Sequence, residues 1–90
     1  MHIHPSFHLR ELGDDHLVIG GGAGLFRRSR HVVRLNDSAA FLWRSVAERE
    51  FDAALLAQLL REEYGLEEAV AAADAASILA AWRKAGLVAE

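Results

Sequence analysis

Apolar and polar residues follow two rhythms along the chain, and the change comes at Asn36. Before it the pattern is one of short extended runs. FHLREL (7–12) alternates imperfectly through Phe7, Leu9 and Glu11, and Gly13-Asp14-Asp15 after it reads as a turn. HLVI (16–19) is a β-branched run that stops at glycines, and HVVRL (31–35) predicts a third strand. Period two puts Val33 and Leu35 on one face of that strand and Val32 and Arg34 on the other.

From Asn36 onward the spacing becomes helical. Asn36 is a good N-cap, Asp37 in the first turn suits the helix dipole, and Ala39, Leu42, Trp43 and Val46 share a stripe. Phe51-Asp52 opens a second helix with Leu55, Leu56, Leu59, Leu60 and Tyr64 at threes and fours, closed by Gly65. A third helix over about 67–84 carries Val70, Ile78, Leu79 and Trp82 on a strip otherwise lined by alanine. Gly86 closes it, and Leu87-Val88 gives a last short extended piece. Strands followed by three helices predict a small α+β domain: a three-stranded antiparallel sheet with a helix-turn-helix of winged type. With 90 residues, no linker and no repeat, residues 1–90 are expected to form one domain.

The run HLVIGGGAGLF (16–26) raises a nucleotide-binding reading, and the register removes it. A G-x-G-x-x-G fingerprint needs a third glycine where Leu25 or Arg27 stands, and it must open into a helix. Here the next residues are LFRRSRHVVRL, basic and then β-branched. The glycines from Gly20 to Gly24 are therefore expected to make a loose connection between strands.

Composition narrows the chemistry further. Hydrophobic residues make up 52% of the chain, which favours a folded domain over a disordered tail. No cysteine is present, so thiolate metal sites and cysteine nucleophiles are excluded, and a reducing cytoplasmic setting fits. No apolar run approaches the roughly 20 residues of a membrane span, and the start lacks the order of a signal peptide. His2, His4 and His8 lack the carboxylates or cysteines that would complete a metal set, and they sit on a terminus expected to fray. His16 and His31 are isolated strand residues, read as structural. Ser29, Ser38, Ser45 and Ser77 have no nucleophile context. No enzyme activity, cofactor or metal is expected.

Net charge is −3, but its distribution matters more. Arg27, Arg28, Arg30 and Arg34 lie close together without an acid among them, a basic edge leading into the third strand. Nucleic acid is one partner such an edge suits. A winged helix reading DNA needs a basic recognition helix, however, and the helices here begin DAALLAQ and EEAVAAAD. An acidic peptide laid beside the strand, held by main-chain hydrogen bonds and steered by Arg27, Arg28 and Arg30, fits better. The strand has one internal charge and no proline, so it is not blunted against receiving a partner, and homodimerisation through it stays open.

Three segments carry a family resemblance. Leu35-Asn36-Asp37-Ser38-Ala39-Ala40 with Leu42-Trp43 resembles the Leu-Asn-acid-Thr/Ser-Ala-Ala signature of the PqqD family. FDAALLAQLLREEYGL is similar to that family's second helix and Tyr-Gly turn, and AAWRKAGLV to its closing segment, so the resemblance spans about residues 7–88. It implies a winged-helix-like domain that recognises ribosomally made peptides. Such a domain binds the leader of a precursor peptide and presents it to a modifying enzyme, a radical S-adenosylmethionine enzyme in the pathway to pyrroloquinoline quinone. The leader would add as a strand beside the third strand. By position the groove would hold His31, Val32, Val33, Arg34 and Leu35, with Asp74, Ser77, Ile78, Ala81 and Lys84 opposite. The turn AEREF lacks the Asp-Gly common in the quinone pathway, and the segment 20–24 also departs, which points as readily to lasso peptides or another radical-enzyme system.

Overall fold

The computed structural model describes residues 1–20 and 31–90; the steering arginines Arg27, Arg28 and Arg30, and Gly21, Gly22 and Gly24, lie outside the described residues. Strands β1 (His2–Ile3), β2 (Phe7–Leu12), β3 (Asp15–Gly20) and β4 (His31–Leu35) precede helices α1 (Asp37–Val46), α2 (Ala53–Tyr64) and α3 (Glu68–Lys84), with β5 (Val88–Ala89) last. The expected third strand is thus β4. β2, β3 and β4 form an antiparallel sheet in that order, and β1 pairs separately with β5. The architecture is α+β, as the hydrophobic pattern predicts.

Local chemistry explains the element ends. The Asn36 side chain accepts the Ala39 amide at 2.9 Å and starts α1. Asp52 does the same for Leu55 at 2.8 Å in α2. Gly65 ends α2 at φ 65°, a left-handed cap whose amide reaches the Arg61 carbonyl at 2.9 Å.

The expected α1 stripe is buried in full: Ala39, Leu42, Trp43 and Val46. Trp43 meets Trp82 of α3 edge to face at 5.4 Å, and Phe51 meets the same indole at 6.2 Å. Leu56 and Leu60 of α2 are fully enclosed, whereas Tyr64 is exposed and rests edge-on against Phe41. In α3 the buried positions are Ala71, Ala75, Leu79 and Trp82. Val70, expected on that strip, is exposed, because the alanines let α3 approach α2 closely and take the inward positions themselves.

Two further expectations change. The N-terminus does not fray: Ile3 is buried, β1 pairs with β5, and Met1 and Phe51 exchange backbone hydrogen bonds at 2.9 and 3.2 Å. Its histidines have separate neighbours, His2 beside Glu50 at 3.4 Å and His4 bonded to the Ser6 hydroxyl at 2.8 Å. Gly20 is not part of a loose connection but the last residue of β3, directly opposite Phe7. A Cβ there would lie against the Ser6 carbonyl oxygen and 2.8 Å from Phe7 Cα, so the position leaves room for the Phe7 ring in the core.

Candidate functional site

β4 is an edge strand: β3 covers one side, and no strand pairs with its other side among the described residues. Its alternation follows the sequence. Leu35 is buried and Val33 half-buried on the helix side, while Val32 and Arg34 point outward and are exposed. Between β4 and α3 lies a cleft of about 230 Å³. Val33, Leu35, Ala39, Ile78, Ala81 and Trp82 supply its apolar lining, and Arg34, Asn36 and Ser77 its polar border. The small side chains of Ala39 and Ala81 create the space, because a larger residue at either would fill it.

Of the ten groove positions implied by the resemblance, the structure gathers Val33, Arg34, Leu35, Ser77, Ile78 and Ala81 around this cleft. His31 begins β4, its backbone paired with Gly20. Val32 shares the strand, but its alternation turns its side chain away. Asp74 and Lys84 belong to the same helix face one turn beyond either end of the cleft, and neither lines it. Asn36, Ala39 and Trp82 line the cleft and were not among the implied positions. The first two fall inside the Leu35–Ala40 signature, which was the available signal.

Arg34 is the charged residue at the border of the cleft, with its side chain turned outward on the same side of β4 as Val32. Arg34 reaches Asp15 only at 3.8 Å, with both side chains more than half exposed, so its charge remains free for an incoming anion. A stronger set of bonds pins the corner where β4 enters α1. His16, opposite Leu35 in the sheet, donates through Nε2 to Asp37 at 2.8 Å and through Nδ1 to Glu11, which also accepts Arg44 at 2.8 Å. The Asp37 hydrogen bond, followed by that of Glu11, raises the His16 pKa above its ordinary value.

Comparison with known proteins gives two likenesses. Residues 25–88 match the family described as Coenzyme PQQ synthesis protein D (PqqD), a segment that takes in β4 and all three helices. The fold is similar to a solved structure, "Lasso peptide synthetase B1 complexed with the leader peptide". The TM-score is 0.73 at 23% identity, covering 98% of this chain and 95% of that chain. At that identity the likeness establishes the fold, including the hairpin β2–β3 that precedes the family match. No curated protein matches the chain in sequence.

Proposed function

The chain belongs to the PqqD family, and from that premise we propose that residues 1–90 act as one non-catalytic domain that binds the leader of a ribosomally made precursor peptide. The open edge of β4 beside the apolar cleft under α3 carries this reading. A leader in extended form adds to β4 through main-chain hydrogen bonds, each worth about 0.5–1.5 kcal/mol net. One apolar side chain of the leader seats over Ala39 and Ala81, and Arg34 attracts its acidic residues. The complexed leader of the lasso peptide synthetase B1 structure supports the choice of ligand.

The bound leader is presented to a peptide-modifying enzyme, and the chain supplies no reacting group of its own. A radical S-adenosylmethionine enzyme and a lasso-peptide enzyme are the partners to test first. The setting is the cytoplasm, in keeping with a chain without cysteine; no described helix is long and apolar enough to cross a membrane.

Titration of fluorescently labelled leader peptides encoded near the chain's gene tests the proposal. At least one is expected to bind, and Ala81→Leu, which fills the cleft, is expected to weaken it tenfold or more, about 1.4 kcal/mol. Arg34→Glu is expected to weaken an acidic leader similarly. Wild-type affinity in both variants would remove the groove assignment.

A further inference from the structure

The sheet has a second face that the helices leave bare. Register and burial define it: Val18 and His16 point toward α1, so their neighbours Leu17 and Ile19 point away. Cross-strand pairing sets Ile19 between His8 and Val32, and it places Leu17 between Arg10 and Arg34. A water-facing sheet surface is ordinarily polar at its outward positions. Here Val32 and Leu12, at 60% and 58%, are the most exposed large apolar side chains among the described residues.

We propose that this outer face, apolar at Ile19, Leu17, Val32 and Leu12 and crossed at Leu17 by Arg10 and Arg34, docks the peptide-modifying enzyme through an apolar patch that carries carboxylates. The inference rests on the leader-binding reading for the identity of the partner. Its geometric basis is β4 itself, which turns Val33 and Leu35 into the cleft and Val32 and Arg34 onto the outer face. An enzyme seated on the outer face is one strand away from a leader added at the edge, about 5 Å. Presentation then needs no movement of the domain.

Charge selects the occupant. Arg10 has no ion pair among the described residues, and Arg34 has only its long contact with Asp15. Two guanidinium groups flanking Leu17 therefore favour an acidic surface. A second copy stacked face to face would bring this row of arginines against itself, with like charges losing water together. A nucleic acid would satisfy the arginines but would leave Ile19, Val32 and Leu12 against phosphates.

The test uses the full chain, a purified peptide-modifying enzyme encoded beside its gene, and a labelled leader from the same neighbourhood. Ile19→Glu is expected to weaken enzyme binding tenfold or more while leader affinity stays within about twofold. Arg10→Ser, a change at an exposed side chain, is expected to weaken it about threefold at low salt and to flatten its salt dependence. This second variant carries the test if Ile19→Glu fails to fold. Unchanged enzyme affinity in the folded variants overturns the proposal. So does a matched loss of leader affinity in Arg10→Ser, which would make the face part of the peptide site, or a wild-type dimer that Arg10→Ser alters. If the wild type binds the enzyme in an Arg10-dependent way but no leader, the docking face stands and the leader reading falls.

Discussion

His16 holds together three parts of the chain, bonding to Glu11 on β2 and to Asp37 at the start of α1. Both ring nitrogens donate only when the imidazole is protonated, which is why its pKa is raised. A raised folded-state pKa sets the sign of the pH dependence. The contribution is fully present below the unfolded value near 6.5 and is lost as pH rises through the higher folded value. Urea midpoints of wild type and His16→Gln should therefore differ most near pH 5.5–6.5 and converge at alkaline pH. A difference that stays constant from about pH 5.5 into the alkaline range would show that the bonds do not depend on protonation. The sequence marked His16 as structural, but nothing in its spacing named Asp37, 21 positions away, as the partner. Long-range side-chain pairs leave no local period. Gly20 shows the same limit: within a glycine run it looks like loop, and only the facing Phe7 gives it a structural role.

At the scale of elements, the long runs with a clear period were legible and the shortest elements were not. Strands expected over 7–12 and 31–35 match β2 and β4, and β3 extends HLVI by one residue at each end. β1 escaped because two residues carry no period, and it exists only through β5, which the extended piece expected at Leu87-Val88 anticipates one residue early. In α3 the larger side chains predict the inward stripe, while Ala71 and Ala75 hold buried positions on the helix. Alanine contributes packing geometry with little hydrophobic signal, so Val70 was placed inward although it faces solvent. Of the helix-borne groove positions implied by the family resemblance, Ser77, Ile78 and Ala81 line the cleft while Asp74 and Lys84 lie a turn beyond it, because helical spacing fixes a face but not where a cleft begins and ends. Trp43 illustrates the secure side of this reading. It joins α1 to α3 through Trp82, and Trp43→Ala is expected to cost about 3–5 kcal/mol. That is a large part of the ~5–15 kcal/mol typical of a whole domain. Thermal melting followed by circular dichroism should show the loss, and an unchanged midpoint would contradict the packing described.

Across the whole molecule, one arrangement joins these parts to function. Among the described residues, the helices cover the inner face of the sheet and leave the outer face bare, and β4 ends the sheet beside α3 with an edge and a cleft open together. The 230 Å³ cleft alone offers little area for tight binding, so most of the affinity must come from backbone pairing along β4. Amide hydrogen exchange of the chain, with and without a bound leader peptide, reads that pairing directly. Strand addition at β4 predicts that alternate amides of residues 32–35 become strongly protected on binding, with those of β2 unchanged. A bound leader that leaves the β4 amides exchanging as before, or that protects β2 instead, would contradict it.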